Sequence, residues 1–121
     1  MSKFTNKKFA SSLKHSFDGV VTTFKSQRNF KFQICILLAI CFLAFYFKYS
    51  ALEFALCLFT ILLVLVLEMI NSCIEFALDA VYKNKYSVLV KASKDICAGA
   101  VLLTSISCAI INAIILFSKI Q

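Results

Sequence analysis

Residues 54–79 read FALCLFTILLVLVLEMINSCIEFALD, a charge-free apolar run from Phe54 to Leu67 that ends in Glu68, Asn71, Glu75 and Asp79. The four polar residues follow one another at spacings of three, four and four, so on a helix they share one face. With its flanks, Ala51 to Met69, the segment comes near the roughly 20 residues that a membrane span needs. Ionisable side chains at the end of a span are costly and mark function by default. A helical rise sets Glu68 roughly 10 Å nearer the bilayer than Glu75. A carboxylate at that depth suits a general base acting on a lipid hydroxyl, a role for which a solvated helix cap has no need. The stretch therefore points to chemistry at a membrane surface.

Composition agrees. Of 121 residues, 61% are hydrophobic and 16% charged, with two glycines, no proline and a mean hydropathy of +0.89. One soluble core of this size could not hide so much apolar surface. The expected fold is an all-α membrane protein with an amphipathic interfacial helix over residues 1–31 and a three-span core over 32–121. The spans are expected at about 32–48, at 51–70 continuing as a cytoplasmic helix to about 82, and at 96–118. In the first segment Phe9, Leu13, Phe17, Val20, Val21 and Phe24 recur at helical spacing with lysines on the other faces, the pattern of a helix lying in the interface. The same segment is too basic and mixed for a cleaved signal peptide.

Charge orients the spans. Lys3, Lys7, Lys8, Lys14, Lys25, Arg28 and Lys31 precede the first, and Lys83, Lys85, Lys91 and Lys94 lie between the second and third. The opposite side receives Lys48 and Lys119. Cytoplasmic flanks collect Lys and Arg, so the N-terminus and the acidic face of residues 68–79 are expected inside. Topology and attraction to anionic lipid account for the formal net charge of +7 without a nucleic-acid partner. The six cysteines form no Cys-x-x-Cys pair and read as small buried hydrophobes, and His15 is the only histidine, which argues against a soft-metal centre.

Carboxylate and amide oxygens of Glu75, Asn71 and Asp79 suit a hard cation carrying phosphates, and Lys91 and Lys94 offer charge to those phosphates. With Gly19 and Gly99 as its only glycines, the chain contains neither a P-loop nor a kinase glycine loop. The competing reading is a solvated cap on a packed hairpin, with Glu75 paired to Lys94.

The run Glu68-Met-Ile-Asn71-Ser-Cys-Ile-Glu75-Phe-Ala-Leu-Asp79, followed by Lys91-Ala-Ser-Lys94-Asp95-Ile-Cys-Ala-Gly-Ala-Val101, closely resembles the signature of the small bacterial diacylglycerol kinases, a family that includes undecaprenol kinases. The resemblance extends over essentially the whole chain. It implies a homotrimer in the bacterial inner membrane that transfers the γ-phosphoryl of MgATP to a membrane-dissolved alcohol, in a site between subunits. It further implies Glu68 as general base, Asn71 as the residue positioning the reacting groups, and Glu75 with Gln27 as Mg²⁺ ligands. Lys8, His15, Asp79, Lys85, Tyr86, Ser87, Lys94 and Asp95 would hold ATP, and Phe17, Phe24, Asn29, Lys31, Gln33 and Ala98 would line the lipid entrance. Gln27 stands where the family usually has glutamate, and Ser87 where a histidine is common. These two departures are what a non-catalytic scaffold reading would build on. The expected substrate is diacylglycerol, giving phosphatidic acid. The Arg28-Asn-Phe-Lys31 run resembles the undecaprenol branch, from which Gln33 departs.

Overall fold

The computed structural model describes residues 3–83 and 85–121, with side chains from Asn6 onward. Four helices follow in chain order: α1 (Lys3–Ser26), α2 (Arg28–Tyr46), α3 (Ala51–Tyr82) and α4 (Val88–Ile120). The fold is all-α, with no strand among the described residues. The last three helices are long and apolar enough to cross a membrane, as the absence of proline and the apolar runs require.

Two helix boundaries lie upstream of the expected ones. The chain breaks at Gln27, which is extended (φ −115°, ψ 113°), so Arg28 to Lys31 form the first turn of α2 rather than the end of the interfacial helix. No glycine or proline marks this one-residue break, and the Gln27 N–H still donates to Thr23 O at 2.9 Å. Helix α4 begins at Val88 because Lys91, Lys94 and Asp95 continue the helical pattern in polar form, two turns before the apolar run starts.

Helix α3 is the centre of the bundle, packed on one side by α2 and on the other by α4. Ile40 of α2, Cys57, Ile61 and Val64 of α3, and Cys108 of α4 form the buried core. Beside this core Asn112 Nδ2 donates to Thr60 Oγ1 at 3.1 Å and to Cys108 O at 2.8 Å, joining α4 to α3 by a side-chain bond. The start of α3 is fixed by a capping box: Ser50 Oγ accepts from Glu53 N–H, and Glu53 accepts from Ser50 N–H, both at 3.2 Å. Glu53 also pairs with Lys119 at 2.9 Å, which clamps the last turn of α4 to the first of α3.

Both loops next to α3 use lysine where glycine is usual. Lys48 (φ 54°) ends α2, closed by a Tyr49 N–H bond to Ala44 O, and Lys83 (φ 50°) ends α3. Burial of the cysteines holds for Cys57 and Cys108. Cys35 and Cys73 are exposed instead, because they lie on faces of α2 and α3 turned away from the other helices. All six are free thiols.

Candidate active site

Opening α2 at Arg28 puts Phe30 and Gln33 in its first turns, where both are buried. There Gln33 meets Glu68, which is 2% exposed: Gln33 Nε2 donates to Glu68 Oε2 at 3.5 Å. The neighbouring hydroxyl of Ser72 does not compete for the carboxylate, since it donates to the backbone carbonyl of Glu68 at 2.9 Å. One turn toward the polar end Asn71 Nδ2 reaches Glu75 Oε1 at 3.5 Å. Two buried amide oxygens, Gln33 Oε1 and Asn71 Oδ1, have no hydrogen-bond partner among the described residues.

Two concavities flank this polar seam. On the bilayer side a groove of about 470 Å³ runs between α2 and α4 with α3 as its floor. Asn29, Phe32 and Gln33 stand at one end and Cys108 and Asn112 lie along it, with Ile61 and Val64 below and Ala98, Val101 and Ser105 on the α4 wall. On the polar side a hollow of about 390 Å³ lies where α3 and α4 join, lined by Asp79, Tyr82, Lys85, Tyr86, Ser87, Lys91, Lys94 and Asp95. Four of its five charged side chains are tied in pairs. Lys94 Nζ reaches Asp79 Oδ1 at 2.7 Å, and Lys91 Nζ reaches Asp95 Oδ2 at 2.6 Å. The suggested Glu75–Lys94 pairing is thus replaced by Asp79–Lys94. Asp79 lies one turn beyond Glu75 and so closer to the α3–α4 connection, where Lys94 stands on the antiparallel helix.

The structure brings Asp79, Lys85, Tyr86, Ser87, Lys94 and Asp95 to the polar hollow, and Asn29, Gln33 and Ala98 to the apolar groove. Lys8, His15 and Phe17 sit on exposed faces of α1, and Gln27 is half-buried at the α1–α2 break; they line neither concavity. Phe24 and Lys31 meet each other, with Lys31 Nζ 5.7 Å from the ring centroid. Sequence reasoning did not single out Tyr82, although it follows Asp79 by three residues and so shares its face. It also overlooked Ser105 and Asn112, which continue from Ala98 at seven-residue intervals along one stripe of α4.

Among the described residues no three His, Cys, Asp or Glu side chains converge on one point. The hard oxygens at the seam are the Glu75 carboxylate and Asn71 Oδ1, which has no partner among the described residues, while the Asp79 and Asp95 carboxylates beyond them are paired with Lys94 and Lys91. That donor set is too small to cage a cation alone and fits Mg²⁺ that arrives already bound to phosphate.

Residues 14–116 match the family described as prokaryotic diacylglycerol kinase. A protein named diacylglycerol kinase from Synechocystis is 32% identical over 105 residues, covering 87% of this chain, which in turn spans 60% of that relative's length. A protein named undecaprenol kinase from Bacillus subtilis is 30% identical over 113 residues, covering 93% of this chain and 91% of the relative. A match across most of the chain, over the same helices that hold the buried carboxylate and the charged hollow, leads to one conclusion: the chain belongs to the prokaryotic diacylglycerol kinase family.

Proposed function

We propose that the protein is a lipid kinase that transfers the γ-phosphoryl group of ATP to the hydroxyl of a membrane-dissolved alcohol, diacylglycerol in the first reading. The observation that carries this is Glu68, a buried carboxylate with no cationic partner among the described residues; it lines neither concavity itself but stands on α3 between Val64, which lines the apolar groove, and Asp79, which lines the charged hollow. The hydroxyl proton passes to Glu68, the hydroxyl oxygen forms the new P–O bond, and the bond to the β-phosphate oxygen breaks, leaving ADP. Lys94, Lys91 and Lys85 provide positive charge for the triphosphate, and Tyr86 and Ser87 border the nucleotide. Glu75 and Asn71 would hold Mg²⁺ with Gln27 as a weaker contributor, and the ion when bound neutralises phosphate charge. Asn71 orients the reacting groups. Phosphoryl transfer asks for positioning and charge stabilisation more than covalent chemistry, so the chain can do without a glycine loop.

The site is completed in an assembly, for which the family resemblance suggests a homotrimer. Lys8, His15 and Gln27 line neither concavity of their own chain and would serve a neighbour's. Phe59, Leu63, Val66 and Ile70 leave one side of α3 exposed and apolar for that contact. The lysine distribution supports a site on the cytoplasmic side of the membrane, which for a bacterial chain would be the inner one.

Undecaprenol is the second reading, favoured by the nearly end-to-end match to the relative of that name. The deciding experiment measures kcat/KM for 1,2-diacylglycerol and undecaprenol in one detergent system with ATP and Mg²⁺. Comparable values, or higher ones for diacylglycerol, are expected. An advantage of about tenfold or more for undecaprenol, about 1.4 kcal/mol in transition-state binding, would transfer the assignment. No turnover of either lipid would remove the kinase reading.

A further inference from the structure

Among the described residues Glu68 has one side-chain hydrogen-bond partner, and it comes from another helix. Gln33 is 8% exposed, stands one turn into α2, and offers Nε2 to Glu68 Oε2 while its own Oε1 is buried without a donor. The other charged groups around this seam are engaged elsewhere or do not reach it. Lys94 is paired with Asp79 and Lys91 with Asp95, Glu75 bonds to Asn71, and Ser72 turns to the α3 backbone. A buried amide with one end bonded and the other idle is costly to keep unless the idle end is used at some stage.

A primary amide carries both a donor and an acceptor, whereas a carboxylate offers only acceptors and an ammonium only donors. An ionised Glu68 needs a donor. Once it has taken the proton of the lipid hydroxyl it becomes a donor itself and needs an acceptor. We infer that Gln33 is the positioning residue of the base, holding ionised Glu68 through Nε2 and, after a half-turn of the amide, protonated Glu68 through Oε1. The inference rests on the reading of Glu68 as general base. It explains why Oε1 is idle in the state described here and why the partner is neutral: a cation would stabilise only the ionised form and blunt the base. It also leaves Glu68 Oε1 free for the hydroxyl. At 3.5 Å the bond is long, as hydrogen bonds of catalytic groups often are before substrate closes the site. Because Gln33 also lines the apolar groove, it links lipid occupancy to the orientation of the base.

The test compares Gln33→Met, Gln33→His and Gln33→Glu with Glu68→Gln, all as full-length protein in detergent with ATP, Mg²⁺ and a diacylglycerol. Methionine keeps the length and volume of glutamine without its polar ends, and Gln33→Leu serves as a second apolar variant. Helicity and the KM for ATP report that each variant is folded. Losing the orientation of a base costs up to about 10²-fold, so Gln33→Met should lower kcat by about tenfold or more while the KM values for ATP and lipid stay within about twofold. Neutral imidazole has one donor and one acceptor, so Gln33→His should recover most of kcat, whereas Gln33→Glu, which sets a second carboxylate beside the first, should not. A purely structural contact between α2 and α3 would respond to volume and lower stability or binding instead. The proposal is overturned if both apolar variants keep kcat within about twofold of wild type, or if Gln33→His falls as far as Gln33→Met. Glu68→Gln separates the two levels: if it retains activity the base assignment itself fails, and if it is dead while Gln33→Met turns over normally only the role of Gln33 fails.

Discussion

In the proposed reaction Glu68 is the residue on which the chemistry turns, and its burial carries an elementary cost. Burying a carboxylate without a cation is unfavourable, and here the side chain is 2% exposed with a neutral amide as its partner. Glu68→Gln removes proton acceptance and keeps the shape, so turnover should fall by about 10²- to 10⁴-fold while helicity and ATP binding stay unchanged. Activity within a few-fold of wild type would take Glu68 out of the mechanism. A second prediction concerns Gln27, an amide at the N-terminal end of α2. If it reaches the Mg²⁺ of a neighbouring subunit, Gln27→Glu should lower the Mg²⁺ concentration for half-maximal rate, because ligand charge sets hard-cation affinity. A carboxylate at a helix N-terminus also favours the helix, so the Mg²⁺ titration rather than thermal stability is the informative measurement. An unchanged or higher Mg²⁺ requirement would place residue 27 away from the metal. The acidic face of residues 68–79 was legible in the sequence because it is local: four polar residues at helical spacing after an apolar run. The Gln33–Glu68 bond was not, since it joins residues 35 apart through the angle at which α2 meets α3. Nor was Asp79–Lys94, where two carboxylates one turn apart were equally plausible until the α3–α4 connection fixed the register.

At the scale of elements, the three long helices were readable from apolar length alone, while their ends were not. The break at Gln27 carries no glycine, proline or side-chain cap, and α4 starts two turns before its long apolar run. Lys48 and Lys83 hide the turns they make, because left-handed backbone usually announces itself as glycine or asparagine. That choice leaves strain behind. A non-glycine residue in the left-handed region costs of order 1 kcal/mol, so Lys48→Gly should stabilise the protein by up to about 1 kcal/mol, offset in part by the added freedom of the unfolded chain. Unfolding in detergent followed by circular dichroism measures this, and a destabilised variant would show that the Lys48 side chain has a role of its own. The opposite sign is expected at Ser50. Ser50→Ala removes one half of the capping box and should cost about 1 kcal/mol, loosening the same end of α3 that Lys119 clamps through Glu53.

For the whole molecule the question is orientation. The helices run alternately, so one membrane face carries the α2–α3 turn with Lys48 to Ser50 and the end of α4, and the other carries α1, the charged hollow and the α3–α4 connection. Basic residues concentrate heavily on the second face, and short cytoplasmic segments are the ones that retain Lys and Arg. ATP is available only inside, so a kinase reading and the charge rule must agree on the same topology. They can be tested together, in a background with the native cysteines replaced. A membrane-impermeant thiol reagent applied to intact cells should label a cysteine at Tyr49, in the α2–α3 turn, and should leave one at Lys85, in the hollow, unlabelled until the membrane is opened. The reverse pattern would invert the protein, put the lysines of the hollow out of reach of cytoplasmic nucleotide, and leave Glu68 as a buried carboxylate without a phosphoryl donor.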